Sequence, residues 1–392
     1  MGSGQPTRGT RPVRRPCTAD GQRACSAFVT ARRQASESRR YLVQFPAGLG
    51  DLVRRSLDDD LGGAEVVHAD DSAMQVSTSA PPHLLSALPY LKNSYLVLTD
   101  VPRVGRDPAS TLDRAASAVT DLMRRQAGLV APVPRKAPFR VMATLDGQLA
   151  AFGRGARTRL ERELLRRTGG RVQTRGSGEE LWLIGRRGLD RVLFALRLRQ
   201  PRRAAPARGS LGPELAALLV RASRPQARDS FLDPMGGSGS LVTARLTSPA
   251  RRVAYNDLAL ERLRSELPSE VRRGGVVLTA DDATDLSSVA TGSVDAIVTD
   301  PPWGEHEPLP GSPEDFARAL TRSLARVLHP GHGRLVLLVS RRLESAFLEA
   351  LSVVGLPKAQ SIPILVNGHP ASVVLAGTGY ADGNRQHRQE DG

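Results

Sequence analysis

Cysteine is nearly absent from this 392-residue chain: Cys17 and Cys25 stand alone near the amino end, with no Cys/His spacing suited to zinc. A disulfide-stapled scaffold is thereby excluded, no metal is expected, and a reducing, cytoplasmic setting follows. Long hydrophobic runs are missing too. No stretch approaches the roughly 18 apolar residues of a membrane span, and the amino end lacks the apolar core of a secretion signal, so no membrane partner is expected. Aromatics make up only 4% of the chain, with two tryptophans, Trp182 and Trp303. Lysine supplies three of the 55 basic residues; a GC-rich genome accounts for arginine over lysine but not for where the arginines gather.

They gather upstream. Of the net +15, residues 1–40 carry +7, 41–100 carry −5, 101–200 carry +12 and 201–392 only +1. A surface facing a polyanion is therefore expected within 101–200. Residues 1–40 read as a disordered basic tail, a transit peptide being the other reading, and 381–392 as a polar tail. The length suits two or three domains.

Folding is expected to begin at Tyr41. A strand over Tyr41–Phe45, a turn, a helix over Asp51–Leu61 with Asp51 as N-cap, strands at Glu65–His68 and Ala73–Ser77, and a helix over Leu84–Leu91 suit a ferredoxin-like α+β module. A second alternation starts at Pro138, with strand Phe139–Ala143, a basic helix Thr158–Arg167 closed by Gly169 and Gly170, strands Arg171–Thr174 and Glu180–Gly185, then Leu189–Leu198. This helix and its flanks carry Arg154, Arg157, Arg159, Arg162, Arg166, Arg167, Arg171 and Arg175 against Glu161 and Glu163, which is either a solvated face or an RNA contact. Trp182, inside a strand, reads as core. Residues 41–200 thus form one region, 201–212 a Pro- and Arg-rich linker, and 213–380 a second domain.

In that second domain the strand Ser230–Asp233 runs into Pro234-Met235-Gly236-Gly237-Ser238-Gly239-Ser240 ahead of a helical 241–246. Such glycines let backbone N–H groups approach a ligand at a helix N-terminus, while Asp233 can accept from an amine or hydroxyl. No lysine follows, which disfavours a P-loop, and Val242 stands where a dinucleotide fingerprint has its third glycine. Three more strands end in acids. Arg252–Asn256 leads to Asp257, 24 residues after Asp233 and suited to ribose hydroxyls; Val276–Ala280 leads to Asp281, Asp282 and Ala283; Val294–Thr299 leads to Asp300-Pro301-Pro302-Trp303. Proline fixes φ and cannot extend a ladder, so this last run is a buried strand delivering a rigid polar turn to the carboxyl edge, where open α/β sheets bind ligands. A buried strand at Leu335–Val339 and an antiparallel pair around Asn367-Gly368 complete a mostly parallel sheet with an end hairpin.

The turn at Asp300 resembles the Asp/Asn-Pro-Pro-aromatic motif of S-adenosylmethionine-dependent methyltransferases that modify an exocyclic or other planar nitrogen. Asp233-Pro234-Met235-Gly236-Gly237-Ser238-Gly239 is similar to the Asp-Pro-Phe-Cys-Gly-Ser-Gly loop of the THUMP-associated RNA guanine-N2 methyltransferases, departing at Met235 and Gly236; Trp303 replaces the commoner Tyr or Phe, and His306 has no assigned role. Upstream, Pro46-Ala47-Gly48-Leu49, the Phe139 strand, the helix ending in Thr168-Gly169-Gly170 and the segment Arg191–Leu198 resemble, in their order, the ferredoxin-like plus THUMP arrangement of the same enzymes.

The resemblance implies an α/β fold: a class I, Rossmann-like methyltransferase domain behind a ferredoxin-like/THUMP-like RNA-binding half. S-adenosylmethionine would be held by Asp233, Pro234, Gly237, Ser238 and Gly239, with Asp257 on its ribose and Asp282 and Ala283 at its adenine. Asp300, Pro301, Pro302 and Trp303 would act on guanine N2 in structured RNA, most naturally tRNA, gripped by the basic 101–200 region. The turn by itself also admits an adenine-N6 or cytosine-N4 DNA methyltransferase, a protein-glutamine methyltransferase, or a non-catalytic RNA-binding protein that has kept the fold.

Overall fold

The computed structural model describes residues 38–174, 177–198, 210–273, 275–304 and 309–380. Expectations for the tails, Cys17, Cys25, Arg175, His306 and the linker at 201–209 lie outside the described residues.

The first elements are β1 (Arg39–Gln44), α1 (Gly50–Leu61), β2 (Glu65–Ala69), β3 (Ala73–Thr78), α2 (Pro82–Ala87) and β4 (Asn93–Pro102). Their antiparallel order β2-β3-β1-β4 is the split βαβ arrangement of ferredoxin-like units. Alternation along β1 sends Tyr41 and Val43 into the core beneath the helices and Leu42 to the opposite face. Two local expectations fail. Asp51 lies in the first turn of α1, whose N-cap is Leu49. The helix expected over Leu84–Leu91 stops at Ala87, because Pro89 forces Leu88 out of the helical region, to φ −64 and ψ 118.

The same sheet continues through β9 (Arg191–Arg197), β8 (Glu179–Gly185), β5 (Pro138–Leu145) and β6 (Gln148–Leu149), with β7 (Arg171–Val172) running parallel to the start of β5. Helices α3 (Pro108–Arg125) and α4 (Arg154–Thr168) pack on one face through Leu112, Val119, Leu160 and Leu164. β4 and α3 escaped the sequence reading although α3 is well signalled. Asp107 and Ser110 form a capping box, Pro108 opens the first turn, and Leu112, Ala115, Ala116, Val119 and Met123 make one buried stripe.

The second half comprises α5 (Pro213–Ala222), β10 (Ser230–Asp233), α6 (Ser240–Arg245), β11 (Arg252–Asn256), α7 (Leu260–Leu263), α8 (Ser269–Arg273), β12 (Val277–Thr279), β13 (Ala296–Thr299), α9 (Pro313–Val327), β14 (Arg334–Ser340), α10 (Glu344–Val353), β15 (Lys358–Val366) and β16 (His369–Ala376). Its sheet runs β12-β11-β10-β13-β14-β16-β15, parallel as far as β14 and antiparallel beyond. This is the class I methyltransferase order. Asn367 (φ 52) and Gly368 (φ 89) make the two-residue hairpin turn.

The halves share one core, in which Tyr41, Leu52 and Leu57 belong to the same cluster as Leu218, Leu219 and Ile364. Gly48, at φ +90, lies so close to β15 that a Cβ there would stand 2.5 Å from the Pro363 carbonyl oxygen. Across the same joint Arg221 pairs with Asp60, which also accepts from the Tyr90 hydroxyl at 2.8 Å within the amino half, and lies 5.1 Å from the Tyr90 ring centroid.

Candidate active site

Because β12, β11, β10 and β13 are parallel neighbours, the acids that follow them emerge at one edge. The glycine loop there is held from both sides. Gly236 N–H donates to Asn256 O at 2.8 Å, Gly237 N–H to Asp257 Oδ2 at 2.8 Å, and the Tyr255 hydroxyl to Gly237 O at 2.8 Å. A Cβ on Gly236 would meet the Tyr255 ring at 2.2 Å, which is why this position takes no side chain. Pro234 is buried; Ser238 and Ser240 hydroxyls lie 2.9 Å apart.

Asn256 and Tyr255 were not singled out from the sequence. The Asn256 amide is fully buried and ties the loop to the next strand, donating to Pro234 O and Asp281 O and accepting from Asp281 N–H and the Thr279 hydroxyl. An amide directly before the ribose-type acid was the available signal. Leu258, 73% exposed just after Asp257, is a further omission, an apolar side chain turned to solvent next to that acid.

Asp257 also accepts from Ala259 N–H at 2.8 Å, so its carboxylate braces two turns as well as facing the edge. Asp282 is exposed and caps its own turn through Thr284. The Ala283 methyl lies in the second core beside Leu232 and Leu286, leaving only main chain to offer a ligand.

Asp233, 1% exposed, accepts from Met235 N–H while its Oδ2 and the nearby buried Thr299 hydroxyl form no hydrogen bond of good geometry, and burial, reinforced by the charges of Asp300 and Asp257 and only partly opposed by Met235 and Thr299, lifts its pKa well above the usual range. Asp300 is raised to about 7 by burial, against the lowering effect of the Trp303 indole N–H, which donates to its Oδ1 at 3.0 Å. Pro301 is buried, Pro302 and Trp303 partly so. Among the described residues neither Asp233 nor Asp300 has a cationic neighbour acting on it.

Residues 200–273 and 264–359 match the family model of the RMKL-like methyltransferase domain. The carboxyl half is thus the part of the chain similar to that methyltransferase family. Over 182 residues, 42% of this chain, it is 31% identical to tRNA (guanine(6)-N(2))-methyltransferase THUMP3 of Bos taurus. The chain spans about a third, 36%, of that relative's length. TrmN from Thermus thermophilus superposes with a TM-score of 0.67 at 23% identity, covering 87% of this chain and 99% of that one. SMU.472, whose structure holds S-adenosylhomocysteine, superposes at 0.57 with 11% identity over 87% and 98% of the two chains.

The methyltransferase domain fits S-adenosylmethionine on its own chemistry. A sheet edge with Asp233, Asp257 and Asp300, one of them carrying a buried oxygen without a well-formed hydrogen bond, suits a cationic ligand, and a methionyl ammonium beside a sulfonium is one. The cradle of Gly236 and Gly237 meets it with main chain alone.

On the amino half, the arginines of α4 divide. Arg166 and Arg167 both clamp the buried Glu163, holding its carboxyl down to about 2, and Arg157 donates to Val141 O and lies over Phe152. Arg154, Arg159 and Arg162, with Arg171 of β7, are exposed, Arg159 reaching the Ser117 hydroxyl at 3.5 Å.

Proposed function

We propose that this chain methylates the exocyclic N2 amine of guanine in structured RNA, specifically tRNA, using S-adenosylmethionine, in the cytoplasm. The observation that carries this reading is Asp300, a partly buried, desolvated acceptor directly after β13 at the acid-lined sheet edge, followed by two rigid prolines and an aromatic ring. The choice of tRNA guanine N2 is supported by the bovine relative's activity. Residues 41–200 serve as the ferredoxin-like plus THUMP-like RNA-binding region, with 201–212 as linker and 213–380 as the catalytic domain; the exposed Arg154, Arg159, Arg162 and Arg171 supply the phosphate contacts.

When bound, the cofactor supplies a methyl group on a positively charged sulfur. Asp233 takes its ammonium, Asp257 its ribose hydroxyls, Asp282 its adenine amine, and Leu258 gives the adenine ring an apolar contact. The guanine amine is a poor nucleophile because its lone pair is delocalised into the ring. Asp300 and the Pro301 carbonyl each accept one of its N–H bonds, which positions the nitrogen and offsets the positive charge that builds on it. The methylated nitrogen must lose a proton, and a carboxylate of pKa about 7 can receive it at neutral pH. Trp303 offers a π-face to the unstacked base, worth about 1–3 kcal/mol by comparison with single-strand platforms.

Purified protein given labelled cofactor and bulk tRNA, followed by digestion to nucleosides, tests the proposal. Label in N2-methylguanosine is the expected result; label only in methyladenosine, or only in DNA, overturns it.

A further inference from the structure

Trp303 occupies the group that a substrate amine needs. Its indole N–H donates to Asp300 Oδ1, and the ring, half buried, rests against the core common to both halves. Among the described residues this is the one side-chain hydrogen bond Asp300 makes. The charged group whose field couples to Asp300 is Asp233, and no cationic side chain acts on Asp300 in the indole's place. Turning the ring to stack on a base therefore takes from a largely desolvated carboxylate its side-chain donor, unless the base brings a donor of its own.

We propose that Trp303 is a latch on Asp300, released by exchange of its indole N–H for an N–H of the incoming base, so that an amine is required for capture as well as for chemistry. The inference rests on the amine-methylation reading and concerns how that same site selects its substrate. An amine-bearing base replaces one donor by another, and Asp300 keeps its hydrogen bond throughout. A base presenting a carbonyl or a C–H at that position offers no replacement, and the latch stays closed. Phenylalanine at this position would keep a stacking face and lose the latch, which makes Trp303 a specificity-determining residue beyond its role as a platform.

With two tryptophans in the chain, nitrogen-15 labelling of tryptophan gives two indole signals from the full-length protein, and Trp182→Phe assigns them. Trp182 is a useful internal control because its indole N–H donates to Glu180, in the other half. Asp300→Asn should move the Trp303 signal and leave that of Trp182 in place. Bulk tRNA added with S-adenosylhomocysteine should move the Trp303 signal again, and the same tRNA given labelled S-adenosylmethionine reports methyl transfer. A Trp303 signal that stays put with tRNA that does accept methyl groups overturns the latch and leaves the methylation reading standing. A tRNA pool that accepts no methyl group overturns both. Trp303→Phe provides a second readout. Without the indole donor the carboxylate loses a bond that favours its ionised form, so the acid limb of kcat/KM should move to higher pH; a limb at the parent's position overturns the latch.

Discussion

Asp300→Asn keeps the shape of the side chain and an acceptor oxygen for Trp303, and removes a charge that the fold holds against burial. The carboxyl is lifted from 3.8 to about 7 by desolvation. Its contribution to stability is therefore whole below pH 3.8, where folded and unfolded chains are both protonated, and is lost progressively as pH rises to 7. At about 1.4 kcal/mol per pH unit the full difference comes to about 4 kcal/mol, and about half of that once water at the mouth of the pocket is counted. The Asn variant should thus be the more stable protein at pH 8, by about 2 kcal/mol, with an advantage that shrinks toward pH 4. Its turnover should fall by about 10² or more, the loss seen when one preorganised polar group is removed. Thermal unfolding followed by circular dichroism at pH 8 and pH 5, with initial rates on tRNA at pH 8, measures both. An Asn variant that melts below the parent at pH 8, or whose advantage is the same at pH 5, would refute the view of Asp300 as a charge held at the fold's expense.

Asp257→Ala removes an acceptor for ribose and the clamp on Gly237 together, so calorimetric affinity for S-adenosylmethionine should drop by about 1.5–3 kcal/mol; unchanged affinity rejects the assignment. Gly236→Ala drives a methyl into the Tyr255 ring and should abolish cofactor binding, whereas Tyr255→Phe loses only the bond to Gly237 O and should weaken it by about 1 kcal/mol. Calorimetry giving both variants the parent's affinity would remove the loop from the cofactor site. Replacing Arg154, Arg159 and Arg162 by Ala should flatten the salt dependence of RNA affinity and spare cofactor affinity; equal slopes make α4 an ordinary solvated helix. Arg166 and Arg167 are poor choices for that test, since losing them strands the buried Glu163.

The parallel sheet was legible because its strands are short apolar runs ending in acids at regular intervals, a pattern that depends on main-chain topology and survives any detail of packing. What the pattern could not convey was how the edge is braced. Asn256 and Tyr255 act through contacts with residues about 20 positions away, and apart from the position of the amide just before Asp257 nothing local marks either as a brace. Asp51 and the stretch after Ala87 show the opposite weakness, in which a plausible cap and a plausible helix were each displaced by a single neighbouring residue. The arginines of α4 looked alike in sequence, and only the burial of Glu163 separates the two that hold the helix from those that face outward. Trp303 reads as a platform from its position in the turn; that its N–H is spent on Asp300 depends on the side-chain rotamer, which sequence does not express.

The close approach of Gly48 to Pro363 and the core common to both halves make the molecule a caliper with a fixed jaw. If the amino half grips RNA as proposed, the joint sets one reach to Asp300, and the donor exchange at Trp303 is left to test the base that arrives there. Choosing a nucleotide then becomes first a matter of measuring length along a folded RNA, and two RNAs of unrelated sequence but equal reach would be treated alike so long as each brings an amine-bearing base to that point.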